Sequence, residues 1–161
     1  MRKVTFTIET WPLKVPFSIT GYTHTEVKIL LAELEEGNST GRGESTPLFY
    51  LGETAESLLR QANSIKIVLE QSAGREALQT LLPAGGARNA IDCALWDLEA
   101  KQTGKSIWAL TGITPKEIIT VNTVGIDTPQ AMAITATAFN TPKIKVKING
   151  EQVLERIKAV C

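Results

Sequence analysis

The sequence predicts an α+β arrangement, a three-stranded antiparallel meander followed by helices, with a parallel βαβ unit joined at its C-terminal end. Three patterns predict it. Apolar residues alternate with polar ones through Thr46, recur at helical spacing from Thr54 to Gly104, and shift to a strand, helix, strand, helix rhythm beyond Thr114-Pro115.

The first strand is read over Lys3 to Glu9, where Val4, Phe6 and Ile8 share one side. The second, Glu26 to Glu35, carries Val27, Ile29 and Leu31 on one side and Leu30, Ala32 and Leu34 on the other. Glu36-Gly37-Asn38 supplies a turn into the third strand, Thr40 to Thr46. From Thr54, an N-cap candidate, Leu58, Ala62, Ile65 and Leu69 mark a helix that Gly74 ends, and a short helix from Arg75 to Leu82 runs into Pro83-Ala84-Gly85-Gly86. Residues 87–104 form the strongest helical pattern, because Ala87, Ala90, Ile91, Ala94, Leu95 and Leu98 share a face and Gly104 stands where a left-handed cap is wanted. The small residues on that face allow close packing.

The tail begins with an apolar run, Ile118 to Val121. A helix opened by Thr128-Pro129 and closed near Asn140 follows, then a strand over 143–148 and a helix from about Glu151. That order is the signature of parallel βαβ units. No internal repeat or low-complexity tract interrupts the chain.

Composition excludes several function classes. At 161 residues and 43% hydrophobic, the chain has enough apolar material for a core of ordinary size. Its 17 basic and 17 acidic side chains cancel, so no net field draws it to nucleic acid or an anionic membrane. The alternating N-terminus has no apolar signal-peptide core and no stretch is long enough to span a bilayer, which points to a cytoplasmic protein. Cys93 and Cys161 form no CxxC and no metal-ligand spacing, and are read as reduced structural thiols. Gly41-x-Gly43 precedes no helix, so a nucleotide loop is rejected. Trp11, Trp96 and Trp108 are read as packing residues.

The chemistry concentrates in KIKVKIN, residues 143–149, where Lys143, Lys145 and Lys147 alternate with Ile144, Val146 and Ile148. On a strand, ammonium groups two residues apart stand about 6.5 Å apart on one face. One reading is a solvated edge whose lysines discourage aggregation. The other places the row inside a barrel, where amines lose water and feel one another, conditions that favour the neutral, basic form. Such a base could take a proton α to a carboxylate if a divalent cation or oxyanion site accepted the charge formed. Spacing alone leaves both readings open.

GRGESTPLFYLGET at 41–54, ARNAIDCALWDLEAKQTGKSIWALTG at 87–112, VGIDTP at 124–129 and the Lys-x-Lys at 145–147 together resemble the enolase superfamily. Within it the chain is similar to the mandelate racemase/muconate lactonizing subgroup, and there to dipeptide epimerases of the L-Ala-D/L-Glu type. The resemblance runs through essentially the whole chain in the family's order. It implies an α+β capping domain over residues 1–113 and, over 114–161, the first βαβ unit of a truncated (β/α) barrel. Its chemistry is abstraction of the α-proton of a carboxylate substrate to give a magnesium-stabilised enolate. Carried over by position, Lys147 is implied to be the acid/base and Lys145 its partner, while Lys143 takes no family role.

Two cap loops are implied to close over substrate, Ser18 to Thr25 and Pro47 to Gly52. Phe49, Tyr50 and Leu51 become the apolar lid, and Tyr22 and His24 the specificity positions. The residues by themselves also permit a surface His24 and a Phe49-Tyr50 pair that packs the cap. Relatives acting on Ala-Glu commonly carry an arginine in the first loop, at a place that Gly21 fills here. The family's acidic metal ligands and second lysine lie on later barrel strands, after Cys161, so no magnesium is expected on this chain alone. The resulting expectation is an N-terminal fragment of a Mg-dependent epimerase acting on a dipeptide or related carboxylate, inactive alone and self-associating to cover its open barrel edge. The alternatives are a binding or oligomerisation module built on the cap, and one half of a split enzyme.

Overall fold

The first two strands run well past the segments that alternate clearly in the sequence. β1 spans Lys3–Ile19 and β2 spans Tyr22–Glu36, joined by a two-residue turn in which Gly21 adopts φ +80°. Pro12 and Pro16 make residues 10–19 look like a loop. The sheet order β1-β2-β3 explains why they are tolerated, because β1 is an edge strand and an edge can lose N–H donors on its open side. β3, Ser39–Ser45, pairs antiparallel with β2 from Leu30↔Ser45 to Glu36↔Ser39.

The computed structural model describes residues 1–161 and resolves them into two units, Met1–Trp11 with Val27–Pro115, and Pro12–Glu26 with Lys116–Cys161. In the first unit α1, Ala55–Ser64, opens on a capping box in which the Thr54 hydroxyl accepts from Ser57 N and the Ser57 hydroxyl accepts from Thr54 N. The single helix expected up to Gly74 breaks at Ile65, and α2 follows over Lys66–Glu70. Asn63 and Ser64 account for the break: both are poor helix formers, and Ser64 Oγ turns back to donate to Gln61 O at 2.7 Å.

α3, Arg75–Leu81, leads into α4, Gly86–Thr103, which ends on Gly104 at φ +66°. Ala87, Ala90, Ile91, Ala94 and Leu98 of α4 bury completely or nearly so, together with Val4, Leu30, Ala32 and Leu34 of the sheet. α4 lies directly on β3. A Cβ added at Gly43 would stand 2.1 Å from Ala90 O, and one at Gly41 would stand 2.2 Å from Ala94 O. The glycine pair is thus a packing device. Polar ties border the same seam, with Arg42 N donating to Asp97 Oδ2 at 2.8 Å and Lys101 Nζ donating to Thr40 O at 2.8 Å.

α5, Ile107–Thr111, capped by the Ser106 hydroxyl, is absent from the sequence reading. The packing role expected of the tryptophans fails for two of them: Trp108 is exposed, and Trp11 is exposed with its Nε1 donating to Glu9 at 2.7 Å. Trp96 does pack, under the Arg75 guanidinium, which stands 3.1 Å from the ring centroid.

In the second unit β4, Asn122–Val124, pairs in parallel with β5, Ile144–Val146, and α6, Pro129–Ala138, and α7, Val153–Val160, pack together. The apolar run 118–121 is not a strand. The pairing register begins at Asn122↔Ile144, which leaves 118–121 without a ladder partner and Ile118 and Ile119 exposed. The distal part of the β1–β2 hairpin belongs to this unit, where Ile126 N donates to Ser18 O at 3.1 Å and Thr20 Oγ1 to Ile148 O at 3.4 Å. No helix is long and apolar enough to cross a membrane.

Two outcomes follow from the first unit. Gly43→Ala forces a methyl onto a helix carbonyl, and overpacking of this kind costs about 1–3 kcal/mol or more, so its urea midpoint should fall well below that of an exposed control such as Gly150→Ala, whose site is open. Glu36 accepts from Gln102, Ser72 and Arg2, which together hold its carboxyl below the ordinary glutamate range. A lowered folded value means that the stabilisation is present above the unfolded glutamate value and is lost as pH falls through the folded one. Thermal melts between neutral pH and acid should therefore show a loss of stability that shrinks in Glu36→Gln.

Candidate active site

β5 presents its two faces differently. In the parallel register Thr123 lies beside Lys145 and Val124 beside Val146, so threonine and lysine share one face and the valines the other. The valine face is covered: Val124 is 1% exposed and Met132 of α6 is fully buried. The lysine row therefore stands on the face without helices. Lys143 and Lys145 are exposed and Lys147 is half-buried. Lys147 N donates to Val124 O at 2.9 Å, one residue beyond the last ladder pair, so this lysine marks the C-terminal end of both strands.

Tyr22 and His24, expected on a loop, stand instead on β2 at the far end of the hairpin. They are two residues apart on one side of the strand, with ring centroids 4.5 Å apart in an edge-to-face arrangement. Tyr22 is 61% exposed and His24 half-buried. The turn they flank is tied across by Ser18 Oγ and Thr23 Oγ1 at 2.9 Å. Ser18 and Thr20 contact residues 126 and 148, so the hairpin end touches the segments that leave both barrel-type strands.

In the first unit Phe49–Leu51 form a single 3-10 turn closed by Gly52 at φ +76°. Phe49, Tyr50 and Leu51 are each about two-thirds exposed, and the two rings meet only each other, edge to face at 5.5 Å. They do not fill the cap core. What holds the turn is Glu53, whose carboxylate accepts from Leu48 N at 2.9 Å and from Gly86 N at 2.8 Å, joining the turn to the start of α4. A cleft of about 520 Å3 nearby, lined by Ser45, Leu48, Arg88 and Asp92 among others, contains none of the expected site residues.

Glu53 and Arg156 escape a sequence reading. Glu53 looks like an ordinary acid just before a helix cap, and Arg156 looks like part of the polar face of a helix. No group of three or more His, Cys, Asp or Glu side chains is placed to hold a metal ion. The residues present therefore do not fit a magnesium site.

Residues 1–112 match the mandelate racemase/muconate lactonizing enzyme N-terminal domain. The chain belongs to that family, within the enolase superfamily. It is 42% identical to the L-Ala-D/L-Glu epimerase of Escherichia coli, over 99% of this chain and 51% of that protein. Among solved structures it resembles an L-Ala-D/L-Glu epimerase at a TM-score of 0.83 and 40% identity, covering 99% of this chain and 50% of the other. It also resembles an enolase family member from Agrobacterium tumefaciens with homology to dipeptide epimerases, described with bound sodium and L-Ala-L-Glu, at a TM-score of 0.91 and 31% identity over 99% of this chain and 50% of that one. A dipeptide epimerase from Methylococcus capsulatus, 26% identical at a TM-score of 0.81 and matched over 98% of this chain and 49% of its own, is described as a complex with magnesium and L-Arg-D-Lys. The chain spans about half the length of the curated relatives it matches.

Because Phe49 and Tyr50 contribute no core packing, replacing either with alanine should change the unfolding free energy by no more than about 0.5 kcal/mol. Chemical denaturation measures this, and a loss of several times that size would return the pair to a packing role.

Proposed function

We propose that these residues supply the cap and the first lysine-bearing strand of a dipeptide epimerase site, with residues 1–113 as capping domain and 114–161 as the start of the barrel. In this reading Lys147 takes the α-proton of a dipeptide or related carboxylate, and Lys145 beside it disfavours a second positive charge on the same face. Tyr22 and His24 are the specificity positions that contact the substrate, and Phe49, Tyr50 and Leu51 are the apolar lid that excludes water. The observation that carries the reading is the position of Lys147: it stands at the C-terminal end of paired parallel strands, on the face that their helices leave uncovered. That is where barrel enzymes place their chemistry. The 42% identity to an L-Ala-D/L-Glu epimerase supports the same chemistry.

The chain does not complete such a site by itself. A carbanion next to a carboxylate needs a cation or a preorganised set of donors, and no grouping of metal-binding side chains is present here. The residues for that task come from outside these 161.

The test follows loss of the α-hydrogen signal from L-Ala-L-Glu and other dipeptides in deuterated water with magnesium. The chain is assayed alone and when completed by the C-terminal half of the Escherichia coli relative. Exchange should appear only in the completed protein, and Lys147→Met should slow it by at least about a hundredfold. Exchange by the completed protein that survives Lys147→Met overturns the assignment of the base.

A further inference from the structure

Arg156 is a cation with almost no exposure, 6%, in the first turns of α7, and no carboxylate pairs with it. An unpaired buried charge is costly, and it persists where hydrogen bonds satisfy it fully. Here all its acceptors are neutral oxygens. Nε donates to Asp127 O at 2.9 Å, and Nη1 donates to Glu151 O at 2.6 Å and, in a shorter bond, to Asn149 Oδ1. Asp127 lies in the segment between β4 and α6, and Asn149 and Glu151 lie in the segment between β5 and α7. Both segments leave the C-terminal ends of their strands, the end at which Lys147 stands.

We propose that Arg156 is a positioning residue that fixes Lys147 by closing a ring of bonds around it, an inference that rests on the function proposed above. The ring runs from Lys147 N to Val124 O, along the chain to Asp127 O, across the guanidinium to Asn149 Oδ1, and back along the chain to Lys147. Asn149 stiffens the return path by accepting from Glu151 N at 3.1 Å, and Gln152 takes φ +47°, the left-handed region, to turn the chain into α7. A planar fork with separately directed donors can span two segments in this way. A lysine, with one nitrogen at the end of a flexible stem, cannot. The ring leaves the lysine side chain free while its backbone is held on both sides.

The test uses the 161-residue chain, site-resolved amide hydrogen exchange and the NMR signals of the lysine side chains. Arg156→Lys keeps the charge and loses the fork, Asn149→Ala removes one acceptor, and Asn149→Asp retains it. Exchange at the Lys147 amide should accelerate at least about tenfold in the first two and stay near wild type in the third, while Ile91 in the first unit is unmoved. The Lys147 side-chain Cε signals should shift in the same two variants, with those of Lys143 unchanged. If Arg156→Lys does not fold, the Asn149 pair decides. Unchanged Lys147 signals, or equal acceleration across the whole second unit, overturn the clamp. Neither outcome bears on whether Lys147 is the base, which the Lys147→Met assay decides separately.

Discussion

The contact between β3 and α4 governs the first unit. Two strand residues without Cβ atoms meet the carbonyls of Ala90 and Ala94, so the helix backbone rests on the strand backbone. Position, tilt and register of α4 are then fixed by backbone shape, and few adjustable side chains intervene. The consequence reaches the Phe49–Leu51 turn. The N-terminus of α4 is capped from outside by Glu53, and the same carboxylate holds Leu48 N at the base of the Phe49–Leu51 turn. A shift of the helix on the sheet would move the capping point and with it the apolar turn.

The second unit has no comparable core. Val124 and Met132 are its only fully buried hydrophobic side chains, while Ile134 and Leu154 on its two helices are 72% and 68% exposed. With so little apolar burial, the segments leaving β4 and β5 depend on directed polar bonds for their geometry. Arg156 supplies them, much as Glu53 does for the turn in the first unit. In both places one charged side chain satisfies backbone or amide groups from two segments distant in sequence. Neither makes a salt bridge, so salt should screen these ties little.

Much of this was legible beforehand. The meander, the α4 face, the Gly104 cap and the Thr128-Pro129 helix start follow from local patterns that the structure obeys, because residue spacing and cap chemistry decide them. The misreadings have non-local causes. The sequence ends its first strand at Glu9 and reads Ser18 to Thr25 as a loop, whereas residues 10–25 belong to the β1–β2 hairpin, in which the edge position of β1 makes Pro12 and Pro16 harmless. Ile118 to Val121 read as a strand because it is apolar, but pairing partners define a strand and its partners lie opposite 122–124. Gly41 and Gly43 could be excluded as a nucleotide loop, yet their packing role needed the position of α4. Of the candidate site, the alternating lysine row was legible, and the polar bonds that hold Lys147 and the Phe49–Leu51 turn in place were not. An arginine on an amphipathic helix and a glutamate before a helix cap look the same whether they are solvated or holding two loops together.

The two faces of β5 show how folding and chemistry are divided along one strand. On the valine face Val124 is buried and Val146 half-buried, and that burial contributes to stability. The lysine face is more open, with Lys143 and Lys145 exposed and Lys147 half-buried. Backbone bonds and the Arg156 ring fix where the Lys147 backbone stands, while its side chain is left free of them. Placement and solvation are therefore separable properties of one residue. The first is set by backbone bonds within the second unit, and the second by how much surface covers the side chain.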